Sequence, residues 1–337
     1  MNGLTEELAG FSRIFVVYDR NAGDFAHAIA DEVAGSAGVQ MIPITADEDH
    51  KTFETVTDIC RALLECGADR DALLLAVGGG VTTDLAGFAA CIYKRGIKYA
   101  NVPTTLLAMV DAAIGGKTGC NLDSYKNLLG VICQPEFTAI FPEALRTLPL
   151  RELRSGYAEL LKSFIIDNRS GAYDAAVALG SRLFNRDPRL RPALEGEVLE
   201  ELSVLIREAG AVKQRIVEED EFEHSLRRKL NLGHTWGHAI EWWQHSHGVA
   251  DPCTHGEAVA IGMVQAARFA EKEGIAEEGL SARIESDLLA CALPVELPCP
   301  EEELLPAMRK DKKAEGGLVR LVLPVKVGEV TLENRKI

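Results

Sequence analysis

No apolar run in the 337-residue sequence reaches membrane-spanning length; the longest, ALLLAV at residues 72–77, is the size of a strand. A basic surplus is missing too. Lys and Arg number 36 against 51 Asp and Glu, a formal net charge of −15. That excludes nucleic acid as the main partner, because a phosphate backbone needs a basic face. An anionic small substrate is not excluded, since a few lysines focused in a cleft outweigh the global charge locally. There is no C-x-x-C pair among Cys60, Cys66, Cys91, Cys120, Cys133, Cys253, Cys291 and Cys299. Scattered reduced thiols, with no metal assigned to any of them, are the reading that follows. The first ten residues contain Glu6 and Glu7 and lack the basic-then-apolar pattern of a secretion signal, so a cytoplasmic protein with no membrane partner is predicted. Repeats and low-complexity tracts are absent. What remains is an ordinary globular composition, 47% hydrophobic and 26% charged, long enough for a large core and two domains.

The first half alternates strand and helix signals. Short apolar runs at 13–19 (RIFVVYD), 38–44 (GVQMIPI), 72–77 and 98–102 read as strands, with a further short β segment at 137–141. Helical spacing lies between them, near 24–33 and 52–66. Alternating β and α with short loops predicts a parallel sheet covered by helices. After about Leu148 helical patterns dominate, at roughly 151–167, 172–185, 192–218, 229–247, 254–273 and 280–290. A strand pair is expected at 318–323 and 329–332. The predicted fold class is therefore α/β: a Rossmann-like parallel-sheet domain, 1–148, then a mainly α-helical domain, 149–337, with ligands expected where two domains meet.

Gly78-Gly79-Gly80-Val81 follows a strand, and Asp84 to Phe88 begins a helix. Glycines permit positive φ and close approach of a phosphate, and a helix N-terminus supplies free N–H groups. A dinucleotide pyrophosphate suits such a turn, although the run is not G-x-G-x-x-G, because Thr83 stands at the third glycine position. A tight turn with no ligand is the bland alternative. Asp19 and Glu48, each after a β segment, are candidates for ribose hydroxyls. The stretch from Asp111 to Gly119 (DAAIGGKTG) is not a nucleotide-hydrolysing phosphate loop, because Asp111 occupies the first glycine position. Lys117, packed among glycines, is read instead as the partner of an anionic group. Lys126 with Asn127 adds a second cation and an amide, and Arg95 a third cation.

Residues 231–241 (NLGHTWGHAIE) put His234 and His238 four apart on one helical face, and His255-Gly256-Glu257 opens another helix. Glu159 and Lys162 share a face of an earlier helix. Imidazoles with a carboxylate are the donor set of a catalytic Zn²⁺. Thr235 stands where H-E-x-x-H needs Glu, so a zinc-protease reading fails. Spacing nominates His234 with His238 but does not decide against His234 with His255. His245 and His247 are assigned to a surface loop.

Together these blocks resemble the 3-dehydroquinate synthase family. The resemblance is carried by GGGVTTDLAGF (78–88), VPTTLLAMVDAAIGGKTGCN (102–121), YKNLLG (125–130), SGYAELLK (155–162), LNLGHTWGHAIE (230–241), HGEAVAIGM (255–263) and DKK (311–313), in family order across nearly the whole chain. It implies a metal, Zn²⁺ or Co²⁺, on Glu159, His234 and His255, which leaves His238 to the substrate. It implies substrate contacts from Arg95, Asp111, Lys117, Lys126, Asn127, Lys162, Lys213, Arg227, Asn231, His238 and Lys312. The catalytic set it implies is His238, Glu223, Lys162 and Lys117. NAD contacts are implied at Asp19, Asn21, Glu48, Lys51, Gly79, Gly80, Val81, Asp84, Thr104 and Thr105. Two departures touch the cofactor side: Thr83 replaces a glycine, and Asp47 precedes Glu48 where the family commonly has glycine.

The activity implied is cyclisation of 3-deoxy-D-arabino-heptulosonate 7-phosphate to 3-dehydroquinate with loss of phosphate, in a homodimer. Oxidation at C5 by NAD⁺ would acidify C6–H, phosphate would leave, C5 would be reduced again, and an aldol step would close the ring. Two rivals share the architecture: a sister sugar-phosphate cyclase of the valiolone or inosose type, and a metal-dependent polyol dehydrogenase. The Lys117, Lys126 and Lys162 set speaks against the last, because a neutral polyol needs no such cluster.

Overall fold

The computed structural model describes residues 4–8, 10–34, 38–123, 125–184, 192–310 and 318–336. The chain divides into two compact units, Met1–Leu148 and Pro149–Ile337.

The first unit runs α1 (Leu4–Glu7), β1 (Ile14–Asp19), α2 (Gly23–Val33), β2 (Val39–Ile44), α3 (Phe53–Glu65), β3 (Leu73–Gly78), α4 (Gly80–Ile92) and β4 (Lys98–Pro103), then a hairpin of β5 (Lys117–Leu122) and β6 (Tyr125–Ile132). The first four strands form one parallel sheet in the order β2-β1-β3-β4. Side chains on a strand alternate between faces, and both faces here are covered. Phe15 and Val17 pack with Val56, Ile59, Leu63 and Leu85 of α3 and α4. Ile14 and Val16 pack on the other side with Ala26, Ile29 and Val33 of α2. With no solvent face, β3 is buried along its whole length and reads LLLAVG. Because β2 and β3 flank β1 on opposite sides, the order of the strands reverses between β1 and β3. Ligands of open α/β sheets bind at the strand C-termini beside such a reversal.

One expectation is corrected here. Residues 137–141 form no strand; a single bridge joins Asn101 to Thr138, with Asn101 N donating to Phe137 O at 3.1 Å and Ala139 N to Asn101 O at 2.8 Å. The lysine-bearing stretch, for which the sequence pattern names no element, forms the β5–β6 hairpin. Most of β6 is exposed, so no buried face writes an alternating pattern into its sequence.

The second unit contains α5 (Leu150–Ile166), α6 (Tyr173–Phe184), α7 (Gly196–Glu219), α8 (His234–His247), α9 (His255–Lys272), α10 (Leu280–Ala290) and α11 (Glu301–Lys310), closed by a hairpin of β7 (Val319–Lys326) and β8 (Glu329–Arg335). From Ser155 to Ile166 every residue of α5 is buried, and α9 is buried over most of its circumference. Helices buried all round form the centre of a bundle. Glu159 and Lys162 are therefore a carboxylate and an ammonium inside an apolar core, the kind of exception that marks a site. α8 extends to His247, so His245 and His247 are helical rather than in a loop, and both are exposed. α11 lacks apolar periodicity in its opening glutamates; it docks by hydrogen bonds, from Trp236 Nε1 to Glu301 Oε1 at 3.2 Å and from Trp243 Nε1 to Glu303 Oε2 at 2.7 Å. Among the described residues no helix is long and apolar enough to cross a membrane.

Candidate functional site

In the first unit the glycine turn sits at the strand reversal. None of Gly78, Gly79 and Gly80 has positive φ, which corrects the expected reason for them. They are required by crowding. A Cβ on Gly78 would overlap the Thr82 side chain; one on Gly79 would lie 3.0 Å from Thr105 Cγ2, and one on Gly80 2.9 Å from Ala112 Cβ. Gly79 is the N-cap of α4 and offers no side chain to it. The first intrahelical bond is Thr83 N to Gly79 O, 3.1 Å, which leaves the N–H groups of Gly80, Val81 and Thr82 outside the helix ladder. The fully buried Thr82 hydroxyl has no hydrogen-bond partner among the described residues. An open helix N-terminus with an unsatisfied hydroxyl fits an anionic diphosphate. Thr83, the departure from the family glycine, turns inward and donates to Gly80 O at 3.0 Å.

Around this turn stand other proposed cofactor residues. Asp19 ends β1 and accepts from Asn21 N at 2.9 Å. Burial raises its carboxyl above the usual range, against the lowering pull of the Asn21 hydrogen bonds. Thr104 N donates to Gly78 O at 2.9 Å, which fixes β4 against the turn. Lys51 is only 5% exposed; its Nζ meets Asp84 Oδ2 at 2.6 Å and Asn127 Oδ1 at 2.5 Å. Asn121, which residue-by-residue reading missed, donates from Nδ2 to Glu48 Oε1 at 2.8 Å. Glu48, Lys51, Asp84, Asn121 and Asn127 thus form one network. Arg95, Lys117 and Lys126 are exposed, and Asp111 lies in a π-helical turn, Ala108–Ala112.

The second unit gathers Glu159, His234 and His255, one ligand atom from each lying within 4.8 Å of the others. Glu159 projects from α5, fully buried, and forms an ion pair with Lys162 one turn on. His234 opens α8 after Gly233, whose left-handed φ of 78° turns the chain into the helix. Its Nδ1 lies 3.1 Å from Leu232 O; a carbonyl only accepts, so Nδ1 carries the proton and Nε2 keeps its lone pair. Burial holds His234 well below the ordinary imidazole value, and the neighbouring charges of Lys162, His255 and His238 push the same way. The shift favours the neutral imidazole, the form that offers a lone pair to a metal. His255 opens α9 under a capping box of Thr254 and Glu257. Its Nε2 is 3.6 Å from Glu159 Oε1 and its Nδ1 3.5 Å from Glu241 Oε1. Burial alone would lower its pKa, but Glu241 and Glu159 outweigh it and the net shift is upward. A carboxylate and two imidazoles, with a further carboxylate behind one of them, fit a tetrahedral divalent ion with an open position.

His238 is exposed, its ring centroid 5.2 Å from that of His234 and 6.2 Å from that of His255. Spacing nominates His238 without deciding against His255; the structure groups His255 with Glu159. Close packing sets this geometry, since a Cβ on Gly256 would run into Ser155 O and one on Gly262 into Gly233 O. Arg151 anchors the approach to α9 by bonds to Asp251 Oδ1, 2.6 Å, and Glu257 Oε2, 2.9 Å.

Glu223, Arg227 and Asn231 lie in the connection before α8. Asn231 Nδ2 donates to Glu223 Oε1 at 2.9 Å, and Arg227 is 1% exposed. Asp220 organises this loop by accepting from the backbone N–H of His224, Ser225 and Arg227 at 2.8, 2.7 and 2.9 Å. Nothing in its sequence context flags Asp220. Lys213 is buried on α7. Lys312 lies outside the described residues.

A glycine turn at a strand reversal and a carboxylate–imidazole cluster in one chain accompany a fold whose solved neighbours include sugar-phosphate cyclases. The chain is similar in structure to 2-epi-5-epi-valiolone synthase from Streptomyces hygroscopicus with NAD⁺ and Zn²⁺ bound, at TM-score 0.85 and 29% identity, covering 99% of this chain and 91% of that one. It is similar also to 2-deoxy-scyllo-inosose synthase complexed with carbaglucose-6-phosphate, NAD⁺ and Co²⁺, at TM-score 0.81 and 25% identity over 99% of this chain and 92% of that one. In sequence it is 42% identical to the 3-dehydroquinate synthase of Dictyoglomus thermophilum, over 88% of this chain and 78% of the relative. The family descriptions "3-dehydroquinate synthase N-terminal" and "3-dehydroquinate synthase C-terminal" match residues 41–155 and 156–314. The chain belongs to the 3-dehydroquinate synthase family.

Proposed function

We propose that the chain converts 3-deoxy-D-arabino-heptulosonate 7-phosphate to 3-dehydroquinate and phosphate. The observation that carries this reading is the Glu159, His234 and His255 group with the buried Lys162 ammonium beside it. When bound, NAD supplies a reversible hydride acceptor and the divalent ion a Lewis acid for the substrate hydroxyls. In this proposal Glu159, His234 and His255 hold the metal. Asp19, Glu48, Lys51, Gly79, Gly80 and Asp84 hold NAD, with Asn21, Val81, Thr104 and Thr105 completing the pocket.

Lys162 is already desolvated, so its charge acts on an anionic or hydroxyl oxygen with little screening. Lys117, Lys126, Asn127 and Arg95 in the first unit, and Lys213, Arg227 and Asn231 in the second, supply further donors for carboxylate and phosphate. Asp111 and Lys312 belong to the same proposed substrate set. Glu223 holds the Asn231 amide. In this reading His238, exposed beside His234, relays a proton during elimination. A cytoplasmic homodimer goes with the reading.

The test is product analysis with the heptulosonate phosphate. One phosphate per substrate, no NADH build-up and many turnovers on trace NAD⁺ are expected. Stoichiometric NADH would point to a polyol dehydrogenase. Inertness towards this substrate with cyclisation of sedoheptulose 7-phosphate or glucose 6-phosphate would make it a sister cyclase, the kind of enzyme the two solved neighbours named above are.

A further inference from the structure

The amide of Asn121 joins two segments with different proposed tasks. On one side is the loop after β2, which carries Glu48 and Lys51. On the other is the β5–β6 hairpin, which carries Lys126 and Asn127. Asn121 closes β5 and contacts both with backbone and side chain. Its own N–H donates to Lys51 O at 2.8 Å. Its Nδ2 donates to Glu48 Oε1 at 2.8 Å and approaches Glu48 O at 3.4 Å. Its Oδ1 accepts from Asn127 N at 2.8 Å. These partners fix the amide orientation, because a carboxylate must face a donor and a backbone N–H must face an acceptor.

The same bond fixes Asn127. Its φ is 51°, a left-handed conformation that asparagine adopts more readily than other non-glycine residues, and Asn121 holds its N–H there. With its N–H held by Asn121, the Asn127 side chain meets Lys51 Nζ, which also meets Asp84 at the start of α4. The chain of contacts from Glu48 through Asn121, Asn127 and Lys51 to Asp84 has no break.

We infer that Asn121 is a positioning residue that couples the nucleotide-binding loop to the substrate-binding hairpin, so that NAD and substrate affinity depend on the same amide. This rests on the proposed function, which assigns Glu48 to NAD and Asn127 to the substrate. Asn121 touches neither ligand in this account and acts through its two partners.

The oriented amide offers a donor-swap test. In Asn121→Asp one oxygen still accepts from Asn127 N–H, but the other faces the Glu48 carboxylate. The double variant Glu48→Gln with Asn121→Asp returns a donor opposite an acceptor. NAD⁺ binding is measured by calorimetry, substrate KM and kcat at saturating NAD⁺, and folding by circular dichroism and thermal midpoint. Asn121→Asp alone should raise both the NAD⁺ Kd and the substrate KM by roughly tenfold, about the loss of one charge-assisted hydrogen bond, with kcat within about threefold. The double variant should recover the substrate KM to within about threefold of wild type, even if the lost Glu48 charge keeps the NAD⁺ Kd high. Unchanged Kd and KM in a folded Asn121→Asp overturn the inference. So does a loss that the double variant fails to recover, which would make Asn121 a general requirement for the hairpin. A wild-type chain that binds no NAD⁺ removes the functional reading and this inference with it. A wild type that binds, with Asn121→Asp binding equally, removes the inference alone.

Discussion

Glu241 stands 3.5 Å behind His255 Nδ1, two helical turns along α8 from His234 and on the same face. One helix therefore supplies a proposed ligand and the carboxylate that orients the other. His234 has its Nδ1 held by its own backbone at Leu232 O, which no substitution removes. His255 depends on a side chain. Carboxylates behind ligating imidazoles typically contribute ten- to a hundredfold in metal affinity. Glu241→Gln should weaken Co²⁺ or Zn²⁺ binding by roughly that factor in dialysis against a competing chelator, while the thermal midpoint without metal stays within a few degrees. Unaltered affinity would reduce Glu241 to a surface partner.

Gly256 should tolerate no side chain. A Cβ there meets the Ser155 carbonyl oxygen, a backbone atom that cannot swing aside, and Gly256 N already donates to Ser155 Oγ at 3.1 Å. Gly256→Ala must push the start of α9, and His255 with it, away from α5. Overpacking of this kind costs about 3 kcal/mol. The urea midpoint should fall accordingly and metal affinity with it. Gly274→Ala is a control: its φ of +67° would strain an alanine, but nothing lies within 4 Å of the added methyl, so it should destabilise without touching metal affinity.

The loop before α8 should be acid-sensitive. Burial would raise the Asp220 carboxyl, but the N–H groups of Arg227, Ser225 and His224 pull it down to about 2. A folded-state value below the ordinary one gives stability that is complete above about pH 4 and is lost as pH falls towards 2. Urea unfolding across pH 7 to 2 should show wild type declining through that window. Asp220→Asn should be less stable at pH 7 by about 2 kcal/mol, because its amide cannot serve every N–H, and should decline less steeply. Some slope will remain, since Asp167 is also held down to about 2 by Arg169 and Arg215 against its burial. Equal slopes would show that Asp220 is not a proton-linked element of the loop.

Much of this architecture is legible in the sequence because burial writes itself into residue choice. The inner strands β1 and β3 are covered on both faces and read as apolar runs; α2 and α3 carry Ala26, Ile29, Val33 and Val56, Ile59, Leu63 at helical spacing. Strand β6 is mostly exposed and leaves no such signature, so the hairpin that carries Lys117 and Lys126 is not written into the sequence pattern. Positive φ was the wrong reason for the glycine turn: Gly78 is crowded by Thr82 of the same segment, and Gly79 and Gly80 by Thr105 and Ala112, which are distant in the chain. The same limit hid Asn121 and Glu241. Both stand inside quoted blocks, at the ends of GCN and GHAIE, yet their roles exist only through partners such as Glu48 and His255. Asp220 left no trace at all, since its partners are backbone N–H groups.

Spacing alone cannot choose between His238 and His255 as the second imidazole ligand, and the two alternatives predict opposite outcomes. His238 sits four residues from His234, with ring centroids 5.2 Å apart, but it is exposed and lies outside the group formed with Glu159. His255 has the same centroid separation from His234, 5.2 Å, and its Nε2 turns towards Glu159 Oε1. His255→Ala should therefore lower Co²⁺ affinity on the order of a hundredfold or more, since an open four-coordinate site keeps only two protein ligands. Its activity should vanish with the metal. His238→Ala should bind one Co²⁺ per chain with affinity near wild type and fail instead in turnover, by roughly 10²- to 10⁴-fold in kcat, the range for a lost proton-transfer group. Chelator-stripped wild type should be inactive until Zn²⁺ or Co²⁺ is returned, and stripped His238→Ala should regain its Co²⁺ absorption spectrum but little activity. If His238→Ala empties the site while His255→Ala fills it, the metal belongs to the pair on α8, and Glu241 loses the orienting role given to it above.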